Sequence, residues 1–509
     1  MFEDKDEIYT FLKTICLPFV LTAASILLLR RTTTSKKQQA AASIPGNLRG
    51  KYPLLGDTLQ LLNPKTMASY QVQSRHTHGA IWRTSVLFNK CVFVSGAKHL
   101  HQLSKQEQLH RNGTNACFPP HHRGLFGHHS VLVTSGEEHA RLRGLITPAL
   151  QPSLYQEEID MAVTAFLTRC KTNSARGGYF PLVDEFKQFT LSVALRIVLG
   201  EERWQEWMKS DDSNSRLVAL LDDFAIWSKG LLSPPTSFIP FTASYYAMKA
   251  RKRIHDVLLE VIEEEKDVMH LQDGSSGNRN QKRCLIERLM RATTNDNAAV
   301  STSLTEEAII DNIFTLVFAG TDTTASVLTS AFFELAKNDE LRKRLQACLE
   351  TGASSDKNDD ADEVLRAFLS EVQRCYPAAP FTMRNISGRG IDLGDDYGFV
   401  PPGFNITYAI AGTLLGDEVS YPNPSKFDMD RWLKKPGSKP LHNWAFGGGC
   451  RTCPGRFLSV TESVALLRAV LGRKDGFHWT LKDDQDLTFL YTPGYFPRDG
   501  LMVKIHSNI

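Results

Sequence analysis

Along most of the chain, apolar residues recur every three to four positions. This helical period is clearest across residues 157–168, 250–266, 305–337 and 461–471, where it predicts amphipathic or buried helices. Strand-like runs are short: AIWRTSVLF at 80–88, KCVFVSG at 90–96 and GLMVKIH at 500–506. The pattern predicts a mainly α body with a minor β portion. At residues 9–29 its character changes to YTFLKTICLPFVLTAASILLL, apolar except for Lys13 and small hydroxyls. That is about the length that crosses a bilayer. Glu3, Asp4, Asp6 and Glu7 precede it, and Arg30, Arg31, Lys36 and Lys37 follow. The charge asymmetry predicts a single-pass signal anchor with residues 1–8 as an acidic luminal tip and the body on the cytosolic side. The rival is a cleaved signal peptide processed at Ala40-Ala41-Ala42. Against it stand the acidic leader and the distance of those alanines from the apolar run.

Residues 30–56 read as a basic flank and a Pro/Gly-rich hinge (IPGNLRGKYPLL at 44–55), and 57–509 as one continuous catalytic body without internal repeats. Two polar stretches interrupt it. QDGSSGNRNQKR at 272–283 reads as a surface loop, and the acidic DKNDDADE at 356–363 as a solvated connection between helices.

Composition narrows the class. The 509 residues are 42% hydrophobic and 23% charged, which suits a globular protein with a large core. A net charge of +3, with no basic stripe interleaved with aromatics, argues against a nucleic-acid partner. The nine cysteines are odd in number and lack framework spacing, which argues for a reducing compartment and against a disulfide scaffold.

Chemistry concentrates in three places. In the helical run at 305–337, capping-box spacing links Ser303 to Glu306, and AGTDTT occupies residues 319–324. Gly320 should cost about 1 kcal/mol against alanine within a helix, so its presence implies a close approach to the backbone. The Thr323 hydroxyl can bond the Ala319 carbonyl four residues back and open a polar notch, where Asp322 beside it could pass protons. A contact between helices through small residues explains the same hexapeptide. Further on, VLRAFLSEVQRCYP sets Glu371 and Arg374 on one helical face, beside an apolar stripe of Val364, Leu365, Phe368, Leu369 and Val372. Such pairs are usually exposed and weak.

The third place is FGGGCRTCPG, residues 446–455. A zinc clamp, a redox dithiol and a haem-binding loop all use cysteine this way. Zinc needs four ligands, and Cys450 and Cys453 have no second pair nearby. A thioredoxin-like dithiol wants a preceding strand in a compact α/β domain. The haem reading uses every feature. Pro454 at the first position of a following helix would set the Cys453 sulfur at a helix N-terminus, where a thiolate is stabilised. The three glycines would let the loop press on a flat partner, and Arg451 would meet an anion.

The stretch resembles the cysteine loop of the cytochrome P-450 family, F-x-x-G-x-R-x-C-x-G, at Phe446, Gly449, Arg451, Cys453 and Gly455. AGTDTT is similar to that family's oxygen-activation segment, and Glu371 and Arg374 match its E-x-x-R helix, which makes the pair buried and structural. Arg384 resembles the arginine on the strand that follows, and FDMDRW at 427–432 the aromatic-arginine stretch. The family's W-x-x-x-R helix stands here as HARLR, with His139 in place of tryptophan and Arg143 retained. The resemblance spans roughly residues 44–509, and the anchor suits the microsomal, endoplasmic-reticulum form.

It implies the following roles. Cys453 is the axial thiolate of haem b, a lever that favours O–O cleavage. Arg143, Arg384 and Arg451, with His139, take the propionates. Asp322 and Thr323 deliver protons during O2 activation, and their presence favours a monooxygenase over a haem-thiolate isomerase or dehydratase. Electrons come from NADPH only through a partner reductase, because the chain holds no flavin or nicotinamide fingerprint. Lys434, Lys435 and Lys439 are either part of its docking face or a solvated cluster. Cys450 is a loop residue, and the histidine-rich HHRGLFGHHS at 121–130 a loop over the haem edge rather than a metal site. YPLLGDTLQLL, PPTSFIPFTASYYAMKARKRI and FPRDGLMV resemble the clan of sterol, brassinosteroid, abscisic-acid and retinoic-acid hydroxylases. That implies a lipophilic isoprenoid entering from the bilayer past GLLSPPTSFIPF, with Ala319, Phe381 and Thr382 as pocket residues by family position alone. A haem-binding sensor or carrier on the membrane is the non-enzymatic alternative.

Overall fold

The computed structural model describes residue 44 and residues 56–507, apart from short internal stretches of which 274–282 and 292–303 are the longest. The expected anchor, most of the hinge, most of the polar loop at 272–283, and Lys434, Lys435 and Lys439 lie outside the described residues. Among the described residues, no helix is long and apolar enough to cross a membrane.

Helices dominate. The runs expected from periodicity are the helices Gln156–Ala175, Ala243–Asp273, Glu306–Lys337 and Arg456–Leu471; the third matches its run to within one residue and the others extend beyond theirs. The helix Glu306–Lys337, hereafter the central helix, is buried along most of its length. Its cap is Thr305 rather than Ser303: the Thr305 hydroxyl accepts a hydrogen bond from the Ala308 N–H at 3.2 Å. Phe186 of the helix Leu182–Leu199 meets Phe332 of the central helix at 4.7 Å between ring centroids, and Phe332 stacks on Trp479 at 4.4 Å. Each such buried aromatic or aliphatic side chain contributes on the order of 1.5–3 kcal/mol by leaving water.

The acidic stretch at 356–363 is not simply a connection. The helix Asn358–Cys375 starts within it, so the acidic residues lie at the positive end of the helix dipole. The histidine-rich run likewise differs from the expected loop: a short helix, Pro120–Phe126, is followed by a turn fastened to the central helix. The Asp311 carboxylate accepts from the His129 N–H at 3.0 Å and from Arg251 at 2.6 Å, while the Asn312 side chain bonds the backbone of Val131 and His129.

The main sheet has five strands in the order Ile81–Val86, Asn89–Val94, Asn405–Tyr408, Thr382–Ile386, Thr114–Ala116. Only the pairing of Asn89–Val94 with Asn405–Tyr408 is parallel. Its register sets Arg384 opposite Ile406 and Thr382 opposite Tyr408. Arg384 and Tyr408 are therefore diagonal neighbours on one face, with the guanidinium 5.8 Å from the ring.

Candidate active site

The cysteine loop is built by short-range hydrogen bonds. Residues Trp444–Phe446 and Gly449–Arg451 form single turns of 3-10 helix. The Cys453 N–H then donates back to the Phe446 carbonyl at 2.9 Å and closes the loop. The helix start differs from the expected one. Pro454 and Gly455 form a turn, and the helix begins at Arg456, not Pro454. The Gly455 N–H, at the cap of that helix, favours the Cys453 thiolate.

The three glycines have separate reasons. Gly447 and Gly449 sit at φ +70 and +66, backbones that favour glycine. A Cβ on Gly448 would lie 2.6 Å from the Trp444 ring, and one on Gly449 would lie 2.9 Å from Ser104 Cβ. Ser104 belongs to the helix Ala97–Leu109, so Gly449 lets that helix close on the loop.

The two cysteines differ electrostatically. Burial raises the pKa of both thiols. At Cys453 the opposing influences are the Gly455 N–H, Arg143 and Arg456, all of which favour thiolate. At Cys450 the Glu107 carboxylate adds to burial, against Arg451 and Arg384. The charged neighbours of Cys453 thus all favour its thiolate, whereas those of Cys450 include an opposing carboxylate.

Arg143, Arg451, His139, Gly449 and Cys450 line one cavity of about 310 Å3. The helix Gly136–Ala149 carries His139, which is buried, and Arg143 one turn later. Among the described residues, no carboxylate pairs with Arg143. Burial pushes its pKa down, and the opposite-signed groups that it senses are the thiols of Cys453 and Cys450. Arg451 donates to the Thr134 carbonyl at 2.9 Å and to the Ser135 hydroxyl at 3.2 Å. Burial, with Arg384 next in weight and Arg143 smaller, lowers its pKa to about 10. Arg384 donates to the Met383 carbonyl, and its buried Nε lies 3.4 Å from Glu107 without an aligned acceptor. Three guanidiniums thus share a low-polarity region with one carboxylate.

The central helix presents two faces at AGTDTT. Ala319 and Thr323, one turn apart, are exposed although the helix around them is buried. A Cβ on Gly320 would meet nothing within 4 Å, so no protein group makes the close approach that glycine implied. The Thr323 hydroxyl donates to the Ala319 carbonyl at 2.7 Å, as expected. Asp322 points the other way: it is buried, with Lys187 Nζ at 3.4 Å. Burial raises its carboxyl pKa, and Lys187 works against that. The Thr190 hydroxyl donates to the Thr321 carbonyl on the same side, so this face is also a contact between helices. The Thr324 hydroxyl meets the Ser459 hydroxyl at 3.0 Å, which joins this turn to the helix that follows Cys453.

Glu371 and Arg374 are both fully buried and form a bidentate pair at 2.9 Å and 2.9 Å. Glu371 also accepts from Trp432 Nε1 at 2.8 Å, the Asp428 N–H at 2.7 Å and Arg431. Arg374 donates to the carbonyls of Leu414, Pro424 and Lys426. The stretch at 427–432 therefore completes this network. Phe381 packs against the sheet cluster containing Trp82 and Phe93, and Thr382 pairs in register with Tyr408. Sequence reasoning missed Glu107, Tyr408 and Lys187. Each stands alone in its segment, with no spacing to mark it, and meets the site only through the fold.

The family model for cytochrome P450 matches residues 45–503. Abscisic acid 8′-hydroxylase 1 of Oryza sativa subsp. japonica is 26% identical over 505 residues, covering 96% of this chain and 97% of that protein. Cytochrome P450 26A1 of Danio rerio is 26% identical over 522 residues, covering 98% of each. The solved structure of retinoic acid bound cyanobacterial CYP120A1 superposes with a TM-score of 0.72 at 24% identity, covering 90% of this chain and 98% of that one, which shows a shared fold. The residues present suit the family's cofactor: a buried thiol whose charged neighbours are two arginines, guanidiniums in excess of carboxylates, and an open face at Ala319, Gly320 and Thr323. The chain belongs to the cytochrome P450 family and is a haem-thiolate monooxygenase, using O2 and electrons supplied by a redox partner.

Proposed function

We propose that the chain hydroxylates a lipophilic isoprenoid on the cytosolic side of the endoplasmic reticulum membrane, with Cys453 as axial ligand of haem b. The observation that carries the site assignment is the cluster of half-buried guanidiniums around the cavity beside Cys453, whose charged neighbours Arg143 and Arg456 both favour its thiolate against burial. Bound haem supplies O2 reduction and oxygen transfer, one atom entering the substrate and the other leaving as water. Arg143, Arg384 and Arg451, with His139, receive the propionates. Thr323 presents its hydroxyl on the open face beside Ala319 and hands protons inward. Asp322, held by Lys187 on the opposite flank, connects that turn to solvent-side protons. Glu371 and Arg374 brace the strand and loop connections around the cysteine segment. NADPH acts through a separate reductase.

The substrate class rests on the relatives, which include abscisic acid 8′-hydroxylases and a fold relative solved with retinoic acid. The bilayer reading rests on residues 9–29 and on the segment between the helices Arg216–Leu231 and Ala243–Asp273. There Phe238 and Phe241 are 81% and 84% exposed, a strongly apolar tip. Purified full-length protein, reconstituted in vesicles with reductase and NADPH, should convert a member of a panel of sterols and isoprenoid acids to a hydroxylated product. That product should carry one atom from labelled O2. An intact thiolate spectrum with no NADPH-dependent oxygen incorporation into any isoprenoid would overturn the substrate reading.

A further inference from the structure

Glu107 is an acid in a place that otherwise gathers cations. It lies near the end of the helix Ala97–Leu109 and is 1% exposed. Removing a carboxylate from water costs several kcal/mol unless partners compensate. Here the partners come from two strands of the main sheet. The Tyr408 hydroxyl donates to Oε2 at 2.6 Å, and Arg384 Nε approaches Oε1 at 3.4 Å. Glu107 is also felt by Arg451 and Cys450 in the cysteine loop, on which the same helix rests through Ser104 and Gly449. Burial and this carboxylate together push the Tyr408 phenol well above its ordinary pKa, so it stays a donor at all working pH values.

The geometry points to Glu107 as a positioning residue of the haem pocket: it orients Arg384 through Nε and Tyr408, and offsets one of three clustered guanidinium charges. The two positive charges that remain match a group bearing two carboxylates. With one Arg384 Nη1 N–H on the Met383 carbonyl and Nε turned to Glu107, Nη2 and the second Nη1 N–H are the donors left for an incoming anion among the described residues. Without Glu107, Arg384, Arg451 and Arg143 would repel one another in a medium of low dielectric. The inference rests on the proposed placement of haem beside Arg143, Arg384 and Arg451.

The test is the haem reduction potential, measured by spectroelectrochemistry on full-length holoprotein. Glu107→Gln removes a negative charge near the haem, which favours the reduced form and should raise the midpoint potential. Glu107→Asp should stay near wild type, and Tyr408→Phe, which loses a hydrogen bond but no charge, should move the potential far less than Glu107→Gln. A merely structural Glu107 predicts lower thermal stability for Glu107→Gln and Tyr408→Phe alike, with the potential unmoved. If Glu107→Gln does not accumulate as holoprotein, Glu107→Gln/Arg384→Gln removes one charge of each sign and replaces it. That pair should sit near the wild-type potential, whereas Arg384→Gln alone falls below it. A Glu107→Gln potential equal to wild type, or a double variant displaced as far as Arg384→Gln, overturns the proposal. Wild-type protein without a thiolate-type haem spectrum would instead overturn the placement on which it rests.

Discussion

Arg374 is fully buried and Arg143 half-buried, and the protein surrounds them differently. Arg374 is met by a bidentate carboxylate and three backbone carbonyls, so its charge and its donors are satisfied within the chain. Arg143 has no paired carboxylate among the described residues, and Arg451 close by is served by a carbonyl and a hydroxyl. An unneutralised buried cation is expensive. A fold that keeps three half-buried guanidiniums together around one cavity, beside a buried thiol, suits a negatively charged partner from outside the chain. The first arginine belongs to the scaffold, and the second is the one we propose receives the cofactor.

Breaking the satisfied network should have the largest effect. Glu371→Ala leaves Arg374 charged and unpaired in the core, at a cost of about 3–5 kcal/mol. The expected outcome is loss of soluble holoprotein, read by expression yield and thermal unfolding. The cofactor cluster predicts a different failure: Arg143→Ala should fold with little loss of thermal stability in the apo form. It should lose haem faster on dilution into apomyoglobin than wild type does. Equal haem loss rates would show that Arg143 does not receive the cofactor.

Thr323→Ala acts on the open face of the central helix. The substitution removes a hydroxyl that only bonds back to Ala319, so the fold should be unaffected within about 0.5 kcal/mol. Product formed per NADPH should fall, on the order of 10²-fold if the hydroxyl carries the proton step. Unchanged coupling would favour a sensor or carrier that needs the thiolate but no proton delivery.

Lys187→Met probes the other flank and should be the subtlest. Lys187 lowers the Asp322 pKa against the upward push of burial, so its loss raises that pKa further. A pH limb of turnover that belongs to Asp322 should move to higher pH. The stability term has a matching sign: a raised carboxyl pKa helps most below the ordinary carboxylate value and is lost as pH climbs through the raised one. A limb that stays in place would separate Asp322 from turnover.

What the sequence made legible was contiguous. FGGGCRTCPG, AGTDTT and the Glu371/Arg374 spacing each lie within a few residues, and the helical period around them is strong. Even there, tertiary closure shifted details. The first helical bond runs from the Ser459 N–H to the Gly455 carbonyl, so the helix starts at Arg456 rather than Pro454. The three glycines, alike in the sequence, answer to a left-handed turn, a tryptophan ring and a neighbouring helix. Glu107, Tyr408 and Lys187 were illegible for a different reason. They come from a helix, a strand and a second helix far apart in the chain, and no local spacing announces that Glu107 and Tyr408 will meet across 301 positions. The acidic stretch before Ala361 was misjudged because charge density marks both loops and helix N-termini.

The central claim is that Cys453, and not Cys450, ligates the haem iron. It is tested most directly by the visible spectrum of dithionite-reduced, carbon monoxide-treated protein in wild type, Cys450→Ser and Cys453→Ser. The strongly red-shifted Soret band of thiolate-ligated haem is expected in wild type and Cys450→Ser and absent from Cys453→Ser. Its survival in Cys453→Ser, or its loss in both variants alike, would contradict the account.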